Sequence, residues 1–315
     1  MEYLPTLKKI LLAGLLLPLG WACEKTPEVL PTMLDGDVIF DPNIYKPDSL
    51  LVSYAYPNPA AVDAAKPVII ACHGYTATTF EWNELRTYMG GRNDMYLSQV
   101  LLGGHGRTYE DFKNSTWKDW QLAITEEYDR LQRAGYTNLN FVCSSTSCPL
   151  ILDLFASGYF EGKTIPATVL MVDPIVVSSA KSLSLIGVVG PMLGYIEAVN
   201  TPIEDKYWYH FRPQETLQQL QNVLTTVRKE LQKGIDLPPA CSLKVYKSIR
   251  DAVADPVSAV LIYQGVTQQG NAIEVDMIDS DLHVFTRLDL RENLLQKDLD
   301  NQTAVFDDIL TRVAN

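Results

Sequence analysis

The chain has 315 residues, 47% of them hydrophobic and 20% charged, which is the balance of a folded globular protein able to bury one large core or two modest ones. Its formal net charge of -12 argues against nucleic acid as a partner, because no clustered Lys and Arg are present to displace counterions from a phosphate backbone.

The first element in chain order is the apolar run Ile10 to Ala22, preceded by Lys8 and Lys9 and ended by Cys23. It is too short to cross a bilayer and has the length and charge order of an export signal. A small residue followed by cysteine at this point resembles a bacterial lipobox, although Gly20 and Trp21 depart from the usual pattern. That resemblance implies cleavage before Cys23 and lipid attachment to it. The expected organisation is a signal peptide over 1–22, a lipidated tether over 23–36 and a globular domain over 37–315. The protein would then be exported and anchored in the cell envelope through Cys23. An ordinary signal peptide or an uncleaved anchor is the other reading of the same residues.

From Pro67 onward, strand-like and helix-like segments alternate, which predicts a parallel sheet covered by helices. The strands are KPVIIAC ending at Cys72, MYLSQVLL at Leu102, NLNFVC at Cys143, ATVLMV at Val172, SLKVYKSI at Ile249 and AIEVDMI at Ile278. Between the second and third, Thr116 and Asp119 have the spacing of a helix cap, and Trp120, Ile124, Tyr128 and Leu131 fall on one helical face. The alternation breaks after Asp173. The residues that follow include Leu217, Leu220, Leu224, Val227 and Leu231 at helical spacing, and they predict a helical insertion at about 175–238 over the sheet's C-terminal edge, where open α/β folds bind ligands. A lid and a plain extension of the core are both consistent with it.

Cys72, Cys143, Cys148 and Cys241 include no C-x-x-C pair and have no neighbouring His that would complete a zinc site, so zinc is not expected; buried free thiols are the preferred reading, and a disulfide of open connectivity is the other one in an exported protein.

The stretch Cys143-Ser144-Ser145-Thr146-Ser147 follows a strand and leads into a helix, the layout of the nucleophile elbow G-x-S-x-G. Cys143 and Ser147 occupy the glycine positions, where a Cβ is expected to strain a tight turn by about 1–3 kcal/mol. On this motif alone a structural turn fits equally well. The surrounding blocks resemble the α/β-hydrolase superfamily, in its bacterial carboxylesterase and monoacylglycerol lipase-like branch. VIIACHGYTATTFEW, Val68 to Trp82, is similar to the family's oxyanion loop. LLGGHGRTYEDFKNSTWKDW, Leu101 to Trp120, is similar to its G-H-G segment, SIRDAVADPVSAVLIY to its acid loop, and AIEVDMIDSDLHVFTRLD, Ala272 to Asp289, to its histidine loop.

The resemblance implies an α/β-hydrolase fold, a mostly parallel sheet flanked by helices with a small helical cap after the sixth strand. It implies Ser145 as nucleophile, His283 as base and Asp251 as acid, with the backbone N–H groups of Tyr75 and Thr146 binding the oxyanion. His73 and His105 are then structural, His210 belongs to the cap and Asp255 caps a helix. Asp173 is either a replacement acid or, preferably, a turn entering the cap with Pro174. Asp279 and Asp281 are loop residues. No metal or organic cofactor is implied, and the oligomeric state is open.

The expected activity is hydrolysis of small-molecule carboxylic esters, of short to medium acyl chains or monoacylglycerol-like. The rate should rise from acid to neutral pH as His283 becomes able to accept a proton. Two other readings stand beside it: a weak or inactive lipoprotein that binds a hydrophobic small molecule in the same pocket, and an amidase or peptidase with the same triad.

Overall fold

Runs of aliphatic residues such as VIIAC and TVLMV, buried at every position, belong to a sheet covered on both faces. The computed structural model describes residues 26–34, 63–179 and 194–315. The export signal, Cys23 and residues 180–193 of the insertion lie outside the described residues. In chain order the strands are β1 (Val68–Cys72), β2 (Tyr96–Val100), β3 (Leu139–Ser144) and β4 (Thr168–Val172), then the short β5 (Tyr195–Glu197), β6 (Phe211–Pro213) and β7 (Ile235–Leu237). After these come β8 (Ser242–Ser248), β9 (Val266–Gln268), β10 (Asn271–Ala272) and β11 (Glu274–Ile278). Six of them form one parallel sheet in the order β11-β8-β4-β3-β1-β2, and they are the six runs that the sequence marks. This is the α/β architecture expected. One detail differs: along the described residues the insertion follows the fourth strand of this sheet, not a sixth, because β8 and β11 both lie downstream of it.

Successive residues of each strand point to opposite faces, so the sheet divides the apolar side chains into two layers. Val68, Ile70 and Cys72 face the helix Trp117–Arg133, which buries Trp120, Ile124, Tyr128 and Leu131, and its Thr116–Asp119 capping box is formed. Ile69 and Ala71 pack in the other layer with Val305, Phe306 and Ile309 of the C-terminal helix Gln296–Ala314.

The helix Gln214–Lys233 ends the insertion and also belongs to the main core. Its Leu217, Leu220, Val223, Leu224, Val227 and Leu231 are buried in the same cluster as the sheet's β3 and β4 residues. Within the insertion, β5 and β6 pair antiparallel just before it. Helix Val257–Gly265 packs alongside, and its last residue is glycine for a steric reason: a Cβ at Gly265 would lie 2.6 Å from the Leu231 carbonyl oxygen and 2.7 Å from the Leu231 Cβ. Gly265→Ala is therefore expected to destabilise the protein by about 1–3 kcal/mol, the usual cost of overpacking, read as a lower urea midpoint with an unchanged slope.

Candidate active site

The order of the sheet reverses at β1: the chain steps out from β1 to β2 and returns to pair β3 on the other side. Such a switch point leaves a crevice at the carboxyl ends of the strands. Cys72 and Cys143 are register partners, so the loops after β1 and β3 emerge side by side. The His73-Gly74-Tyr75 loop and Ser145 meet there, and a Cβ at Gly74 would stand 3.0 Å from the Ser145 Cβ.

Ser145 has φ 48°, the left-handed conformation of a sharp strand-to-helix turn, and its N–H donates to the Val172 carbonyl at 3.1 Å. The strain expected at Cys143 and Ser147 is absent. Neither residue has positive φ, and both side chains are accommodated. The Ser147 hydroxyl donates toward the Cys72 carbonyl at 2.7 Å and accepts from the Ser144 N–H at 3.0 Å. The Cys143 and Cys148 sulfurs lie 3.1 Å apart, both fully buried, and burial pushes both thiols up. All four cysteines among the described residues are free and buried. Ser144 hydrogen-bonds the buried Glu81 carboxylate, which also accepts from the Gly74 N–H at 2.8 Å and so ties the two loops together.

His283 follows β11 and Asp251 follows β8. The His283 Nε2 is 2.9 Å from Ser145 Oγ, and its Nδ1 is 2.8 Å from Asp251 Oδ2. The other Asp251 oxygen accepts from the N–H groups of Val253 and Ala254 at 2.8 and 3.0 Å. Burial alone would raise the Asp251 carboxyl; hydrogen bonding to His283 and the nearby Lys247 ammonium outweigh it and hold the group at about 2. With the folded value below the ordinary carboxylate range, this arrangement stabilises the fold above about pH 4, and that contribution is lost as the pH falls through about 2.

Tyr75 and Thr146 line the cavity above Ser145, and neither backbone N–H donates to another group among the described residues. The Tyr75 hydroxyl is bound instead to Thr216 Oγ1 at 2.7 Å, on the long helix.

His73 lies beneath the site with its Nε2 accepting from the Leu102 N–H at 3.1 Å, and burial pulls it down to about 4. His105 is buried against His73, Phe112 and Trp120, and burial lowers it well below the ordinary imidazole range. His210 pairs with Asp205 at 2.9 Å within the insertion. Asp255 Oδ1 accepts from the Val257 N–H at 2.9 Å at the start of its helix, while Asp279 and Asp281 form exposed ion pairs with Arg250.

Asp173 does more than turn the chain. Fully buried, it accepts from Lys247 Nζ at 3.0 Å, the Ser248 N–H at 2.8 Å and the Phe285 N–H at 3.1 Å, joining the ends of β4 and β8 to the His283 loop. Lys247 Nζ also reaches Asp251 Oδ2 at 2.5 Å, again with no exposed surface. Sequence reasoning missed Lys247. The signal was a lysine at the next-to-last position of an otherwise buried strand, four residues before a loop aspartate. Lys247→Met would leave two buried carboxylates facing each other, one of which must take a proton. Denaturant unfolding is expected to show a loss of about 3–5 kcal/mol at pH 7 and a smaller loss at pH 5, where protonation is easier.

No protein-family model matches the chain. Among curated proteins it is similar to a thermostable monoacylglycerol lipase of Bacillus sp. (strain H-257), 21% identical over 232 residues, which cover 69% of this chain and 83% of that protein. Among solved structures it is similar to one from a study of two metagenome-derived lipolytic enzymes, LipS and LipT, with a TM-score of 0.65 at 16% identity, covering 84% of this chain and 99% of that one. A soluble variant of monoglyceride lipase from Saccharomyces cerevisiae, in complex with a substrate analog, superposes with a TM-score of 0.61 at 9% identity over 85% of this chain and 97% of that one. The chain has the α/β-hydrolase fold.

Proposed function

We propose that the protein is a serine hydrolase of small carboxylic esters, exported and anchored through a lipid on Cys23. The observation that carries the catalytic reading is the hydrogen-bonded chain from Asp251 through both His283 nitrogens to Ser145 Oγ, at 2.8 and 2.9 Å, opening on a cavity of about 240 Å³. The similarity to lipolytic enzymes supports the ester as the scissile group. Binding without catalysis drew its support from a strained elbow, and no left-handed backbone flanks Ser145.

Each residue's role follows from acidity. A serine hydroxyl is a weak nucleophile near neutral pH, so His283 Nε2 takes its proton as Oγ attacks the ester carbonyl carbon. The carbonyl oxygen becomes an oxyanion, held by the Tyr75 and Thr146 N–H groups, each such donor being worth roughly 2.7–4 kcal/mol. The histidine then returns the proton to the departing alcohol oxygen, and water repeats the sequence to release the acid. Asp251 keeps the Nδ1–H tautomer and stabilises the imidazolium. Because Asp251 stays ionised down to about 2, a fall in rate just below neutral pH does not report the acid.

Labelling with a fluorophosphonate probe is expected for the wild type and absent in Ser145→Ala. Hydrolysis of p-nitrophenyl esters should fall by about 10⁴ in kcat for Asp251→Asn, which leaves the geometry but loses the tautomer. A folded wild type that neither labels nor cleaves esters would sink the reading, and faster cleavage of aminoacyl amides than of esters would move the scissile bond. Lipidation is tested separately: cells grown with a labelled fatty acid should label the wild type and leave Cys23→Ser unlabelled.

A further inference from the structure

The cavity over Ser145 is cationic in a protein of net charge -12, for Arg212, Arg287 and Arg291 all line it. Two carboxylates share the wall, and both are engaged. Glu81 holds the Gly74 N–H and the Ser144 hydroxyl, and Glu204 accepts from Arg287 at 2.9 Å and from the Thr201 N–H at 3.0 Å. Arg287 is thus paired, and it stacks on Trp208 at 4.5 Å. Arg291 donates to the carbonyls of His283 and Val284, which leave its charge uncancelled. Burial and the like charge of Arg287 pull Arg291 down to about 10, so it is still a cation at neutral pH.

Arg212 stands out. It lies on β6 at the inner edge of the insertion, makes no ion pair among the described residues, even with Glu215 one turn on, and its Nε is buried without a hydrogen-bond partner. A buried guanidinium N–H without an acceptor is costly, and the fork of N–H groups matches the two oxygens of a carboxylate. The space is also small: about 240 Å³ lies below the roughly 300–1,000 Å³ of common ligand pockets and gives little room for a long acyl chain.

Resting on the ester-hydrolase reading, we propose that the substrate is a small ester bearing a second, anionic group, a carboxylate or similar oxyanion, which Arg212 binds with Arg291 beside it while Ser145 attacks the ester carbonyl. Arg212 is then a specificity residue, and the insertion that carries it selects the charge of the substrate.

Matched ester pairs test this. On the acyl side, p-nitrophenyl hemiglutarate is compared with p-nitrophenyl valerate; on the alcohol side, acetoxybenzoate with phenyl acetate. In at least one pair the anionic member is expected to have the higher kcat/KM by about tenfold or more, with the advantage residing in KM. Arg212→Gln should erase that ratio and Arg212→Lys should restore part of it. A ratio near one for the wild type in both pairs, or a ratio that survives Arg212→Gln, overturns the proposal. A second arm needs no turnover: in Ser145→Ala protein, glutarate should raise the melting temperature, and with Arg212→Gln added it should not. If the esters are inert but this shift appears, the ester reading fails and the anion site stands; if the shift is absent, the anion site fails.

Discussion

One ammonium group, that of Lys247, lies between two carboxylates in a part of the molecule with no exposed surface. Removing such charges from water is expensive, and the arrangement holds because each carboxylate also receives backbone N–H groups: Ser248 and Phe285 at Asp173, Val253 and Ala254 at Asp251. The cluster fixes more than charge. It sets the ends of β4 and β8 and the start of the His283 loop relative to one another, and so sets where the imidazole lies above Ser145. Lys247 reaches the His283 ring only through Asp251, which both of them contact.

The other half of the site depends on neutral hydrogen bonds. Glycine is usual two residues to either side of an elbow nucleophile, yet Ser147 replaces the missing space with function: its hydroxyl bonds the backbone of β1 and of Ser144. Cys143, at the paired position, packs its sulfur against Cys148. Glu81 joins the elbow to the Gly74 loop from below. The turn is thus fastened by side chains where a glycine-flanked one would rely on close backbone approach alone.

Much of this was legible in the sequence, for stated reasons. Strands β1, β3 and β4 lie inside the sheet, are buried at every position and read as mainly apolar runs, whereas the edge strand β11 is largely exposed and reads as an alternating one. Ser145, Asp251 and His283 sit at strand ends in loops whose order along the chain constrains their roles. What escaped reading depends on contacts between distant stretches. Lys247 resembles Lys244, three residues earlier on the same strand, but Lys244 pairs with Asp276 and Asp308 near the surface and Lys247 points into the site. Arg212 comes from the insertion, Arg287 from the histidine loop and Arg291 from just beyond it, and no local pattern says that they share a cavity. The expected strain at Cys143 and Ser147 came from treating a Cβ as pure bulk, when one of the two side chains carries the polar atom that the turn uses.

The long helix Gln214–Lys233 gives the insertion its mechanical character. Val223, Leu224 and Val227 are fully buried in the sheet's own core, and Thr216, in the first turn, holds the hydroxyl of Tyr75. A helix anchored along its length cannot swing, so the chain from Gln214 onward keeps its place on the core. Arg212 stands at that boundary, two residues from rigid ground, and the loop of Tyr75 is braced from the same beam. The loop of Tyr75 beside Ser145 therefore stays referenced to the core.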